Sequence, residues 1–424
     1  MQMNGIIIAV FVIGYIGIAF EHKIRIDKAA SALITGVLCW LFYFLTDKPV
    51  SEVEHQLLQH LADIASILFF LMGAMTIVEV IDSHQGFNII TDTIKSRSIP
   101  KLLILVTVIT FFLSAILDNL TTAIVMTSLS AKLIKERKDR LWFLSMVIIA
   151  ANAGGAWSPL GDVTTTMLWI GGQITALNII VKTLFPSIIA VLIPLLILTI
   201  RLRKNEIDKK EETRSDYTYE SKVILFTGVG LLIFVPVFKT VTHMPPFMGM
   251  LLALGIIWIV SSIIHLNKHP EERHKYSVTN ALRKIDTSSI LFFLGILLAV
   301  SALQSIGILG RLAEFTIKHI KNEYITGTFL GLLSAIIDNV PLVAAAQGMF
   351  TLQMFPTDHM FWEFLALSAG TGGSAIIIGS AAGVAVMGIE KINFFWYLKN
   401  ISWLALTGFF AALMAYVLQQ SLIG

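Results

Sequence analysis

The chain is 424 residues long, with 56% hydrophobic residues, only 14% charged residues, a net charge of +3 and one cysteine. Soluble domains carry nearer a quarter charged residues, so a large soluble domain is excluded, as are a disulfide framework and a cysteine metal site. The small positive excess lies mainly in loops and gives no nucleic-acid signal.

Apolar runs long enough to cross a bilayer fall at 5–20, 29–46, 64–80, 177–200, 222–238, 246–265, 288–303 and 392–418. The first run, from Gly5 to Phe20, has no basic stretch before it and no small-residue cleavage site after it. It therefore reads as a first span and not as a signal peptide. Two further runs, 141–175 and 361–388, are interrupted by glycines and read as broken helices. Together these give ten crossings. Segments 101–134 and 324–352 each place an Asp-Asn pair near the middle of an apolar stretch. Their length suits two half-depth arms and a tip, so both are expected to be re-entrant hairpins, with the tip backbone buried in protein or lining a cavity.

Basic residues in the short loops orient the spans. Lys23, Arg25 and Lys28 put the first loop inside. Asp47 to Asp63, with one Lys against four acids, falls outside. Lys95, Arg97, Lys101, Lys132, Lys135, Arg137, Lys138 and Arg140 flank the first hairpin, which is expected to open from the cytoplasm. Arg201–Lys222 and Asn267–Lys284 also fall inside, and both termini fall outside. Arg311, Lys318 and Lys321 stand against this assignment, in a segment placed outside.

The same pattern occurs twice. Ser66-Ile-Leu-Phe-Phe-Leu71 matches Ser289-Ile-Leu-Phe-Phe-Leu294, and Ser114 to Asn119 matches Ser334 to Asn339. Gly154-Gly155 with Gly161-Asp162 matches Gly372-Gly373 with Gly379-Ser380, so the order holds at offsets of 223, 220 and 218 residues. Five crossings separate the two starts. An odd number means the copies insert upside down, with the second hairpin opening outside, which is the inverted-repeat plan of alternating-access carriers. The expected architecture is thus an all-α polytopic membrane protein of about ten helices, two re-entrant hairpins and two broken helices. Residues 1–63 supply N-terminal scaffold helices and 64–200 the first repeat. Residues 201–287 hold a central cytoplasmic loop, two helices and a second cytoplasmic loop, and 288–424 form the inverted second repeat.

Asp118 and Asp338 carry the chemistry. An ionised carboxylate at the bilayer centre costs about 2.5–3.5 kcal/mol on insertion scales, and no Lys or Arg lies within either hairpin core. The expected partner is a bound cation or a proton. Asn119, Asn339, Thr121 and Thr122 add hard oxygen ligands of the kind that suit small cations. The stretch from Asn152 to Thr166 cannot hold a regular helix through its glycines and proline, and it offers Asn152, Ser158, Asp162, Thr164 and Thr165 around the break. Ser380 is the counterpart of Asp162, so the first half holds the extra acid. The main Na+ site is expected there, at Asp118, Asn119, Asn152 and Asp162, with Asp338 completing it. Glu79 is the best interfacial candidate for taking up protons, and His243 or His265 for sensing pH.

The paired Asp-Asn hairpins and the Asn152–Thr166 stretch resemble sodium/proton antiporters of the NhaD type. These belong to a superfamily that also holds arsenite permeases and dicarboxylate/sodium symporters. The resemblance implies a scaffold-and-transport split, a homodimer, and exchange of Na+ or Li+ for H+. It points to Asp118, Asn119, Asn152, Asp162, Thr164, Thr165, Ser334, Asp338 and Asn339. No cofactor beyond the transported ions is expected. The rival is an anion carrier for arsenite, citrate or a dicarboxylate on the same scaffold. An intramembrane enzyme is disfavoured, because there is no His-Glu-x-x-His and Gly161-Asp162 lacks the earlier Gly of an aspartyl Gly-x-Gly-Asp. The basic internal loops favour a bacterial inner membrane, and the lipid bilayer is the expected surrounding.

Overall fold

A computed structural model describes residues 2–19, 21–91, 98–134, 136–202, 218–336 and 338–423, and its regular elements are helices. The chain begins with α1 (Gln2–Ala19), the short α2 (Glu21–Ile24) and α3 (Lys28–Phe44). The first repeat runs through α4 (Val50–Ser83), the short α5 (Asn88–Thr91), the hairpin arms α6 (Ile99–Leu117) and α7 (Asn119–Leu133), the broken helix α8 (Arg137–Gly155) and α9 (Val163–Ile170), and α10 (Ala176–Arg201). A connecting group follows, made of α11 (Tyr219–Thr242), α12 (Pro246–Ile264), α13 (Pro270–Lys275) and α14 (Val278–Lys284). The second repeat then returns to the same plan. It runs α15 (Thr287–Ser305), α16 (Ile308–Ile320), hairpin arms α17 (Glu323–Ser334) and α18 (Asn339–Met349), broken helix α19 (Met360–Gly372) and α20 (Ala381–Glu390), α21 (Phe394–Asn400) and α22 (Ser402–Ile423).

Among the described residues, α4, α6, α10, α11, α12, α15 and α22 are long and apolar enough to cross a bilayer. Setting α6 aside as a hairpin arm leaves six of these. The shorter apolar α1 and α3 and the two broken helices bring the total to the ten crossings expected. The hairpin arms are unequal: α17 and α18 have 12 and 11 residues, a half-depth length, whereas α6 has 19. At about 1.5 Å per residue, α6 reaches well past half a membrane before it breaks at Asp118.

Three expectations change. The acidic stretch before residue 64 is mostly helix, because α4 starts at Val50 and runs 34 residues, about 51 Å. Glu52, Glu54 and Asp63 had masked this by breaking the hydropathy. Arg311 and Lys318, against the charge rule as read from sequence, lie on α16. That helix buries Leu309 and Ala313 and exposes Arg311, Glu314 and Lys318, as an amphipathic helix in the interface does. The last apolar run divides into α21 and α22. Of the basic residues used for orientation, Lys95, Arg97, Lys135 and the central loop across 203–217 lie outside the described residues.

The core is built on two helices. Every residue of α8 from Trp142 to Gly155, and of α19 from Phe361 to Gly372, is buried. A helix apolar on all sides belongs inside a bundle, and around these two pack the hairpins, α10 and α22. At the periphery, α11 and α12 turn Phe226, Ile233, Val237, Ile259 and Ile263 outward, as lipid-facing helices do. The N-terminal α3 lies tightly on α15. A Cβ on Gly36 would sit 2.5 Å from the Gly295 carbonyl oxygen, so the small residues here set the spacing of the two helices.

Candidate cation site

The site grows out of four helix starts. Orphan amides at a helix N-terminus are commonly satisfied by an Asp or Ser cap. Here Asp118 caps α7 by accepting from the Thr121 N–H at 2.8 Å, and Asp162 caps α9 from Thr164 at 2.9 Å. Asp338 caps α18 from Val340 at 3.3 Å, and Ser380 caps α20 from Gly383 at 3.1 Å. Each repeat thus uses one cap at its hairpin tip and one at its broken helix. The tips are held close by matched contacts. The Ser114 hydroxyl donates to the Ala151 carbonyl and the Ser334 hydroxyl to the Ala369 carbonyl. A Cβ on Gly154 would sit 2.2 Å from the Phe111 carbonyl oxygen, and one on Gly372 would sit 2.1 Å from that of Gly331.

Asp162 is where the two repeats meet. The Asn119 amide donates to its Oδ2 at 2.8 Å, and the Asn339 amide donates to the same oxygen at 3.2 Å. Asn119 also donates to the Asn152 side-chain oxygen at 3.2 Å. Asn152 in turn donates to the hydroxyls of Ser374 and Ser380, at 2.9 and 2.8 Å. One polar chain therefore runs from the first tip through α8 to the break in α19/α20, within apolar helices. Asp118, Asn119, Asp162, Asp338 and Asn339 line a shared cavity of about 50 Å³. It is room for a few water molecules or a small, partly hydrated cation. Asp118 holds a backbone φ of 88°, a region that costs a non-glycine residue of order 1–3 kcal/mol and that clusters at functional sites.

A family model described as "Citrate transporter" (CitMHS) matches residues 15–363. Sodium/proton antiporter 1 of Arabidopsis thaliana is 47% identical over 97% of this chain and 72% of its own length. Sodium/proton antiporter 2 of the same plant is 44% identical over 96% and 97%. The Na(+)/H(+) antiporter NhaD of Vibrio cholerae is 28% identical over 96% and 90%. The chain belongs to the CitMHS family and, within it, to the NhaD-type sodium/proton antiporters. The family model takes its name from citrate transporters, whereas these three relatives are named for sodium and protons.

Within this NhaD-type chain, the residues singled out from sequence divide into two groups. Asp118, Asn119, Asn152, Asp162, Asp338, Asn339 and Ser380 belong to the cavity or to the hydrogen-bond chain behind it. The hydroxyls of Ser158, Thr165 and Ser334 are engaged with backbone carbonyls of Ala115, Asp162 and Ala369. They brace the breaks and do not face the cavity. Thr121 and Thr164 spend their hydroxyls on Asp118 and Asp162. Thr122 is fully buried, without a hydrogen-bond partner for its hydroxyl, and it does not line the cavity.

One expectation needs correction. The acids were expected to lack a basic partner, but Lys28, the first residue of α3, lines the cavity and reaches Asp338 Oδ2 at 3.2 Å. No motif marks it, because 310 positions separate the pair and Lys28 sits at a span end, where solvated charge is the ordinary case. Ser374 was likewise passed over, as a small residue in a glycine-rich stretch. Glu79, expected to take up protons, pairs with Lys284 at 3.0 Å and accepts from the Ser83 hydroxyl. His265, expected to sense pH, follows the last residue of α12, is buried and stacks on His84 with ring centres 5.0 Å apart.

Proposed function

We propose that the protein exchanges cytoplasmic Na+ or Li+ for external H+ by alternating access, with Asp118, Asp162 and Asp338 binding the cation when ionised and protons otherwise. The observation that carries this reading is the convergence of both hairpin-tip amides on Asp162, in a cavity that Asp118 and Asp338 also line. Each hairpin belongs to one of two inverted repeats. A ligand at Asp162 is therefore sensed by both, and loading it with either ion changes the packing of both tips. Asn119, Asn152, Asn339 and Ser380 position the acids, while Thr121, Thr122, Ser158, Thr164, Thr165 and Ser334 shape the tips and breaks. Because one set of oxygens serves both ions, exchange is coupled without a separate gate, and it rises as pH rises and the proton competes less.

The citrate name of the family model keeps an anion carrier as the second reading. Its charge balance is poor: the cavity offers three carboxylates against the single Lys28 ammonium, which is already paired. The deciding assay loads reconstituted vesicles with a ΔpH-quenched dye and adds Na+, Li+ or citrate. Na+ and Li+ dequench the parent and fail with Asp118→Asn, whereas dequenching or labelled uptake driven only by citrate overturns the exchange reading.

The protein is an integral multi-pass membrane protein. We assign it to a bacterial inner membrane from its basic internal loops. The scaffold group, α1, α3, α11 and α12, is proposed to be static and to carry a homodimer contact. The transporting group consists of the hairpins and broken helices.

A further inference from the structure

The Lys28–Asp338 pair joins two parts of the molecule that the exchange reading requires to move apart. Lys28 stands on a firm base. Asp27 caps α3, accepting from the Ala29 N–H at 2.8 Å and from the Ser288 hydroxyl at 2.8 Å, and so ties the start of α3 to the start of α15. The close approach of Gly36 and Gly295 fixes the same two helices farther along. From that base the ammonium extends over the ring of Phe292, 4.4 Å from its centre, to Asp338 Oδ2. Both side chains are largely withdrawn from solvent, at 21% and 16% exposure. Asp338 sits on the tip of the second hairpin, one residue before the Asn339 that donates to Asp162. Among the described residues, the other carboxylate oxygen of Asp338 accepts from the Val340 N–H.

A lysine ammonium is a compact point charge on a flexible stem. To a carboxylate oxygen it offers what a sodium ion offers, a single positive charge at close range, without leaving the protein. We propose that Lys28 is a tethered competitor of the transported cation at Asp338. It sets the cation affinity of the site, and it pins the second hairpin to the α3/α15 pair until a cation takes its place. On this assignment, Lys28 is a positioning and specificity residue that acts through Asp338. What changes is whether the Lys28 side chain or the cargo faces Oδ2. The inference rests on the exchange reading of the same site.

The test measures Na+-induced dequenching against Na+ concentration at one alkaline pH, in reconstituted vesicles, for the parent, Lys28→Gln, Lys28→Arg and Asp118→Asn. Removing the competitor should lower the half-saturating Na+ concentration about tenfold and also lower the maximal rate, because the hairpin is no longer released by loading. Lys28→Arg should keep the half-saturation near that of the parent. An unchanged or raised half-saturation in Lys28→Gln, with the parent active, makes the pair a packing contact only and overturns the proposal. A parent that does not respond to Na+ or Li+, like Asp118→Asn, overturns the exchange reading and takes the proposal with it. Should Lys28→Gln fail to fold, the intact parent still decides. Amine labelling of Lys28, followed by mass spectrometry of the purified protein, should rise saturably with Na+ and stay flat with choline. Flat labelling with both contradicts the displacement.

Discussion

At the scale of single residues, Asp118 and Asp162 divide two tasks. Asp162 accepts from both tip asparagines and from Thr164, which is why it is proposed as the centre of cation binding. Among the described residues, the side chain that donates to Asp118 is Thr121, and Asp118 carries the strained backbone. Asp118→Gly separates these roles. It relieves strain of order 1–3 kcal/mol and gives up a cap that is worth about 1 kcal/mol relative to Ala and less relative to Gly. Thermal stability in detergent should therefore hold or rise while exchange is lost. A parallel fall of both would make the residue a packing element. Asn152→Ala removes the amide that donates to the Ser374 and Ser380 hydroxyls and one of the two acceptors of the Asn119 amide. It should cost about 1–3 kcal/mol for an unmet buried polar group and cut exchange at least tenfold.

Much of this set was legible in the sequence because polar residues inside apolar runs are costly and therefore conspicuous. Asp118, Asp162, Asp338 and their asparagines showed themselves in that way. Lys28 did not, since a lysine at a span end carries no such signal and only the folded chain brings it to Asp338. The hydroxyls of Ser158, Thr165 and Ser334 looked like ligands for the opposite reason. A residue type reveals the ability to coordinate, but not whether a nearby carbonyl has already taken the hydroxyl.

At the scale of elements, the glycines matter most where one helix crosses another. Gly372→Ala places a Cβ 2.1 Å from a backbone oxygen of α17 that cannot move without shifting the hairpin. Overpacking of this kind costs about 1–3 kcal/mol or more, and it should lower both the melting temperature and exchange. Gly154→Ala should do the same through α6. The breaks themselves were readable from sequence, whereas the unequal arms were not, because α6 stays apolar over its whole length.

The ends of α4 and α12 carry a second titratable feature. The His84 Nδ1–H donates to the Val80 carbonyl at 2.7 Å, which leaves Nε2 of the neutral ring to accept from His265 Nε2–H at 2.8 Å. Glu220 lies 3.9 Å from His265 Nδ1 but is paired with Lys268, and Tyr276 stacks on His265 and packs at a tilt against His84. Burial lowers His84 from 6.5 to about 4 and also lowers His265, with Lys268 adding to the latter. Folded rings with lowered values bind protons less readily than unfolded ones, so their contribution to stability is complete above about pH 6.5 and declines as pH falls toward 4. The melting temperature should drop across that window, and His84→Gln should flatten the drop. An unchanged slope in the variant would place the acid sensitivity elsewhere.

For the whole molecule, duplication does what a single repeat cannot. Each hairpin alone presents one acid and one amide. Packed together, and joined by Asp162 from the break between α8 and α9, they bring three carboxylates and two amides to a cavity of about 50 Å³ that residues of α3, α4, α11, α12 and α15 also line. The duplication was legible in the matched motifs, and the expected inversion rests on the odd number of crossings between the copies. The amphipathic α16 was not legible from charge counting, since a helix lying in the interface follows neither the inside nor the outside rule. The chain brings two hairpin tips to one cavity, and on the proposed function that shared site couples Na+ to H+.

The most direct measurement is proton release from the purified protein on Na+ addition, in weakly buffered detergent solution near pH 8, for the parent and Asp162→Asn. Competition for the same carboxylates requires that Na+ binding expel protons from the parent, saturably and also with Li+, and that the variant release none. Sodium binding without proton release, or equal release from Asp162→Asn, would contradict a shared site centred on Asp162.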